Sequence, residues 1–232
     1  MQANPGKKLE IKINDQEYLR LPVKTRLATP ETKDYAGFVA EHLENLTKPD
    51  DIIFVSEKLI SIMQGRSYHI DDIRPSWLAT KLSAHVFRNP GGIGLAMPQT
   101  MQLAIEEVGI PRILLAAAIA ALTKPLGIKG LFYRVAGRQA AAIDGPVPYA
   151  IPPYNHYASK GPSQPEKAAR AIFERLGEHP KAVAIVDAND FGVEVLGLWP
   201  KRIVPVKFLK KALADNPLGQ TNESTPIGII RK

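Results

Sequence analysis

The sequence predicts a mixed fold of helices and strands, and three observations carry that reading. Residues 8–13 (Lys-Leu-Glu-Ile-Lys-Ile) alternate polar and apolar side chains, the period-2 pattern of a half-exposed strand. Residues 51–55, after an acidic start, and residues 182–186 are apolar runs that suit strands buried on both faces. Residues 32–46 and 164–176 instead carry helical spacing.

The elements follow in order. After the strand at 8–13, Asn14-Asp15 reads as a turn into a second strand at 18–23. In the helix at 32–46, Phe38, Val39, His42 and Leu43 share one face, and Pro49 follows its end. A helix over 75–87 turns Trp77, Leu78, Leu82 and Val86 inward, and residues 90–94 form a glycine-rich loop. Helices at 98–108 and 111–123 are separated by Gly109-Ile110-Pro111, and the alanine-rich second one is expected to be buried on every side. Residues 131–135 and 140–143 read as strands around Gly137. Residues 144–165 hold six prolines and three tyrosines without periodicity, which suits a lid, a binding loop or a partner contact. Pro165 opens the helix ending at Leu176. The strand at 182–186 and another at 193–198 come next, then a basic amphipathic helix at 206–214, a loop at 215–226 and a terminal strand at 227–230.

The bulk composition narrows the class. At 232 residues the chain is long enough for one large domain or two small ones, and 45% hydrophobic with 23% charged residues is ordinary for a folded globular protein. The absence of cysteine excludes disulfides, cysteine–zinc sites and thiol nucleophiles and points to a reducing compartment, the cytoplasm. The first residues lack the apolar core of a signal peptide, and the longest apolar stretch, 113–122, is about half a membrane span. The net charge of +7 is spread along the chain without an aromatic-basic pattern, so a small anion such as a nucleotide explains it without nucleic acid.

Several constellations carry candidate chemistry. Ser56, Lys58, Ser61, Gly65 and Arg66 follow the strand at 51–55; Lys58 can neutralise a phosphate and Arg66 can fork two of its oxygens, although the order is not that of a Walker loop. Gly91, Gly92 and Gly94 precede a helix and can bring backbone N–H groups to an anion, or simply turn the chain. Lys124, Lys129 and Arg134 alternate with glycines and can clamp a carboxylate or phosphate, or cap a helix end. An apolar run ends in Asp144, and another ends in Asp187, Asn189 and Asp190. Closely spaced carboxylates at a strand exit favour a hard cation, Mg²⁺ or Mn²⁺; the plain alternative is an Asx-turn. His42, His69, His85, His156 and His179 show no metal-ligand spacing and read as surface or capping residues.

Taken in order, these segments resemble the coenzyme F420-0:L-glutamate ligase family. The matching pieces are Ser-x-Lys-x-x-Ser-x-x-x-Gly-Arg at Ser56–Arg66, Arg74-Pro75-Ser76, the strand end at Asp144, and a later strand whose end resembles Asp-Thr-Phe-Gly, here Asn189-Asp190-Phe191-Gly192 or, with a shift, Asp187 onward.

The resemblance implies an intertwined α+β fold with a mixed sheet, a single ligase-like unit across residues 1–232 built as one body or two intertwined subdomains, and a homodimer. It implies GTP, or ATP, as phosphate donor, two divalent metals, and K⁺ as a further candidate cation. The activity implied activates a substrate carboxylate as an acyl phosphate, which the amine of L-glutamate or another amino acid attacks. Position by position, Ser56, Lys58 and Ser61 would contact nucleotide phosphates, as would Lys24, Thr25 and Arg26 in the segment that matches an N-terminal nucleotide loop. Lys58 and Arg66 would stabilise the transferred phosphoryl group. Asp144 with Asp187 or Asp190 would bind metal, completed by Gln220 or Glu223, and Lys129, Arg134 and Asn189 would meet a small anionic acid. Two departures stand out: Gly145-Pro146 replaces a Ser-Asn pair after the first aspartate, and Val193-Glu194-Val195 replaces an arginine-bearing segment after Phe-Gly. They leave the acceptor open and keep a non-catalytic nucleotide- or metabolite-binding relative as the alternative.

Overall fold

The computed structural model describes residues 1–86, 94–128, 130–177, 180–189, 192–219 and 221–232. The chain forms two compact units, one of Met1–Gly65 with Pro162–Lys232 and one of Arg66–Gly161.

The first unit is built on a six-stranded sheet. Its strands are β1 (Glu10–Ile13), β2 (Gln16–Val23), β3 (Asp51–Ser56), β6 (Pro180–Asn189), β7 (Gly192–Trp199) and β8 (Ile227–Arg231). Their spatial order is β1-β2-β8-β3-β6-β7. Every neighbouring pair is antiparallel except β3 and β6. This mixed sheet with its helices makes the fold α+β. Asn14 and Asp15 take φ of 48° and 62°, the left-handed backbone that closes a tight two-residue hairpin between β1 and β2.

Both faces of the sheet centre are covered, which explains its continuous apolar strands. Ile52, Phe54, Ala182, Ala184 and Val186 pack with Leu209 and Ala212 of α9 (Val206–Ala212). The intervening Ile53, Val55, Val183 and Ile185 are buried on the opposite face. The helix α8 (Pro165–Leu176) packs on β6 and β7, and α1 (Tyr35–Leu43) packs on α8. Gly228 lies across from Phe54 in the ladder, and a Cβ there would fall inside the Phe54 ring. The Ser56–Arg66 segment begins as α2 (Glu57–Met63), whose Leu59, Ile60, Ile62 and Met63 are buried, so it is a core helix rather than a solvated one.

Two arginines tie the sheet to its surroundings. Arg20, 2% exposed, donates to Ala212 O at 3.0 Å, Lys8 O at 2.7 Å and the Asp215 carboxylate. Arg231 grips Asp51 with two hydrogen bonds, of 2.8 and 2.7 Å, and also donates to Leu46 O.

The second unit is mostly helical: α3 (Trp77–Ser83), α4 (Pro98–Val108), α5 (Ile110–Thr123), α6 (Leu131–Ala136) and α7 (Arg138–Ala141). Leu95, Met101, Leu103, Ile113 and Ile143 are central to its core. β4 (Ser67–His69) and β5 (Tyr157–Ser159) form a small antiparallel sheet. Here the structure corrects the sequence reading at five points, the first being Trp77, expected inward on α3 but 74% exposed. Residues 131–135 form α6 rather than a strand, because Gly130 and Gly137 at positive φ bound a segment short enough for packing on α5 to override its aromatic and β-branched composition. Residues 138–141 are helical as well, so Asp144 follows a helix and is joined to β5 by its bridge to Ser159. The segment 144–165 contains β5, which pins it to β4. α5 buries Ile113 and Ala116 but exposes Leu114, Leu115 and Leu122, since its neighbours α4 and α6 cover only part of its circumference. The expected glycine-rich loop lies outside the described residues except for Gly94.

Two outcomes test this description. Gly228→Val is expected to destabilise the chain by about 1–3 kcal/mol through overpacking against Phe54, with part recovered by adding Phe54→Leu, read as urea midpoints. The second concerns Asp215. Burial draws its carboxyl upward, but the Arg20 hydrogen bonds and charge, with its own backbone N–H and Lys7, outweigh that and lower its pKa. A carboxyl lowered in the folded chain stabilises it above the unfolded pKa of about 3.9, and the contribution fades as pH falls through the folded value. Asp215→Asn should therefore lower the melting temperature at about pH 7 and matter progressively less on approach to about pH 3.

Candidate functional site

The register of the large sheet gathers most of the candidate residues of the first unit at one end. Val23 pairs with Ile227, Val55 pairs with the same Ile227, and Ser56 pairs with Val186. The exit of β2, the entry of β8, the exit of β3 and the exit of β6 therefore lie side by side, about 4.8 Å per strand step. Lys24, Thr25 and Arg26 leave β2 there, Glu223 precedes β8, Ser56 and Lys58 join β3 to α2, and Asp187 and Asn189 close β6.

Backbone and hydroxyl groups stitch these loops together. Thr25 N–H donates to Ser224 O at 2.9 Å and Ser224 Oγ donates to Thr25 O at 3.0 Å. Ser56 N–H donates to Pro226 O at 2.8 Å. Ser56 is the N-cap of α2, and its Oγ accepts the Lys58 N–H at 3.3 Å. Lys24 and Arg26 are exposed and Lys58 is half-buried, so three cations border this end. The Arg26 guanidinium reaches both oxygens of Glu41, at 3.1 and 3.0 Å, and lies 4.6 Å from the centre of the Phe38 ring. Both partners of that pair are about half exposed, at 51% and 59%, so it is worth at most about 1 kcal/mol and an anion can displace it.

The acidic side is equally defined. Asp187 is half-buried, and Asn189 Nδ2 donates to its Oδ1 at 3.4 Å. Asn189 Oδ1 also accepts the Gly192 N–H at 3.1 Å, so the Asx-turn reading and the site reading describe the same residue. Glu194, in the segment that departs from the ligase pattern, stands directly across the ladder from Asp187, with Lys210 Nζ 4.0 Å from its carboxylate. Glu223 accepts from Thr221 N–H at 2.8 Å and from Thr221 Oγ1 at 2.6 Å. Burial works to raise the Glu223 pKa, but the Thr221 hydroxyl, the backbone N–H groups and Lys7 lower it overall. Glu57 is buried at the start of α2 and went unassigned in the sequence because its neighbours Ser56 and Lys58 drew the phosphate reading.

The remaining candidates divide otherwise. Ser61 is 1% exposed on α2, and its hydroxyl has no hydrogen-bond partner among the described residues. Arg66, Arg134 and Asp144 belong to the second unit. The Arg66 guanidinium donates to Glu107 and to Gly161 O, each at 2.7 Å, and Glu107 also neighbours the buried Lys160 at 3.8 Å. Asp144 is exposed and exchanges two backbone hydrogen bonds of 2.9 Å with Ser159. Arg134 is exposed on α6. Lys129, Asp190 and Gln220 lie outside the described residues. Among the described residues no three His, Asp or Glu side chains are grouped to hold a metal ion by themselves. An open hollow of about 510 Å³ runs along β1, lined by Lys8, Glu10, Lys12 and Glu17 among others, toward the hairpin end of β2 and away from the β2 exit at Val23 where Lys24, Thr25 and Arg26 begin.

A family model described as F420-0:Gamma-glutamyl ligase matches residues 23–190. The chain belongs to that family. The match starts at the last residue of β2 and takes in the loop at 24–26, the Ser56–Arg66 segment, Asp144 and Asp187. It leaves out β7, α9 and β8, so the strand that sits between β2 and β3 and the loop bearing Glu223 lie beyond it. No curated protein matches the chain. Membership places it among ligases. Among the described residues no helix is long and apolar enough to cross a membrane.

The commitment of Arg66 to Glu107 is testable. A double-mutant cycle with Arg66→Met and Glu107→Gln should give a coupling of about 1–3 kcal/mol in unfolding free energy, as for a largely buried pair. A coupling near zero would return the guanidinium to duty toward an anion.

Proposed function

We propose that the protein is a nucleotide- and divalent-metal-dependent amide ligase. A carboxylate of a small acid attacks the γ-phosphorus of GTP or ATP, the bond to the departing diphosphate breaks, and an acyl phosphate forms. The amine of L-glutamate or another amino acid then attacks the acyl carbon, and phosphate leaves. Family membership supports the reaction class. The observation that carries the rest is the juxtaposition, at one sheet end, of Lys24, Arg26 and Lys58 with Glu57, Asp187 and Glu223.

The chemistry of the donors fits this reading. Mg²⁺ and Mn²⁺ take hard oxygen ligands, and Mg²⁺ in nucleotide sites uses one or two carboxylates with phosphate and water making up its shell. A partial set of carboxylates at the sheet end is therefore sufficient for a metal that arrives with its nucleotide. We assign Asp187 as a metal carboxylate at the sheet end, with Glu223, Asp190 and Gln220 as further ligands, and Asp144 as a candidate ligand carried by the second unit. Bound metal would neutralise phosphate charge. Lys58 and the loop at 24–26 would orient the phosphates, with Lys58 stabilising charge that develops on the transferred group. Val193-Glu194-Val195 places a carboxylate where the ligase pattern carries arginine, which argues for an acceptor less anionic than the F420 precursor. The same substitution favours the second reading, a nucleotide binder that does not turn over.

Isothermal calorimetry tests the proposal. GTP or ATP should bind in the presence of Mg²⁺ or Mn²⁺ and much more weakly in EDTA, and Asp187→Ala should weaken binding by about tenfold or more, about 1.4 kcal/mol, with its melting temperature little changed. No binding of either nucleotide with either metal would overturn the reading. Binding without phosphate release over a panel of acids and amino acids would select the second one.

A further inference from the structure

The loop at 24–26 is held from two sides, and one of them is a histidine that the reaction does not use. His42 Nδ1 lies 2.8 Å from Phe38 O, one turn earlier in α1, where a ring N–H donates to the carbonyl. That fixes the neutral tautomer with Nε2 as acceptor, and Nε2 receives the Arg26 backbone N–H at 3.3 Å. The ring is kept in place by Phe38, whose centroid is 4.4 Å away. On the other side of the loop Thr25 is bonded through both its N–H and its C=O to Ser224.

We propose that His42 is a positioning residue that clamps the loop at 24–26 against α1, and does so only in its neutral form. Protonation turns Nε2 into a donor, which faces the Arg26 N–H as donor against donor and releases that side of the loop. The charged side chains next to the clamp in sequence are Arg26 in the loop and Glu41 on α1, which pair with each other. The helix packed on α1, α8, has Arg170 bonded to Glu174 and stacked on Trp199, and Glu166 bonded to Lys201; its other charges are Lys167 and Arg175. The inference rests on the nucleotide reading only for its consequence: a loosened loop binds phosphate less well, so affinity should fall once the ring carries a second proton.

Two variants separate the possibilities. His42→Gln supplies one acceptor and one donor without titrating, whereas His42→Leu supplies neither. Hydrogen exchange of the Arg26 amide without nucleotide should speed up about tenfold or more in His42→Leu, be largely restored in His42→Gln, and depend on pH beyond the intrinsic exchange rate only in the native chain. Metal–GTP affinity should fall about 5- to 10-fold in His42→Leu, roughly one hydrogen bond's worth, and lose its acid-side decline in His42→Gln. Equal Arg26 exchange in the native chain and His42→Leu, at matched melting temperature, would overturn the clamp, as would a His42→Gln variant indistinguishable from His42→Leu. An intact exchange difference in a chain that binds no nucleotide supports the clamp and removes the functional reading alone.

Discussion

The insertion of β8 between β2 and β3 is the constraint on which the first unit depends. A strand in that position bonds on both edges, to Leu19–Val23 on one side and Ile52–Val55 on the other, so its register sets theirs. Because β8 runs antiparallel to both, the loop that enters it comes to the same end as the chain leaving β2 and β3. Parallel pairing of β3 with β6 then adds the exit of β6 to that end. Lys24, Arg26, Lys58, Asp187 and Glu223 share one rim because one strand has one possible slot. A one-residue slip would turn every side chain of β8 to the other face and put an isoleucine where Gly228 makes room for the Phe54 ring.

The charge of +7 divides by role once the partners are known. Arg20, Arg231, Arg66 and Lys160 are largely buried and each is tied to a carboxylate, so they hold elements together. Breaking such a pair leaves a buried charge unpaired, which makes these residues poor candidates for binding a transient anion. Lys24 and Arg26 are exposed and any pairing they make is weak, which is what exchange with a phosphate requires.

Much of the large sheet was legible in the sequence. The alternation at 8–13, the turn at Asn14-Asp15, the apolar runs at 51–55 and 182–186 and the terminal strand at 227–230 follow directly from side-chain period and turn chemistry. What could not be read was that the terminal strand sits in the middle of the sheet, since pairing partners leave no local signature. The helices at 131–136 and 138–141 were misread because aromatic and β-branched residues favour strands until packing on a neighbouring helix overrides them. Ser56 and Lys58 stand at the exit of β3, as their place after the apolar run at 51–55 implies, whereas the partner of Arg66, Glu107, lies in a different helix and only the fold could bring it there. His42 was seen on the apolar face of its helix; its bond to the Arg26 amide depends on a turn of chain between β2 and α1 that no periodicity describes.

The strand order also sets a sequence of events. A chain emerging from the ribosome presents β2 and β3 long before β8. Until β8 arrives, β2 keeps one open row of backbone donors and acceptors, and β3 keeps another, each a template for pairing with the wrong chain. Closing a contact between such distant parts of the sequence is slow relative to local helix formation. The interval in which both edges wait is the period when the nascent protein is most exposed to misassociation, and the arrival of β8 ends it.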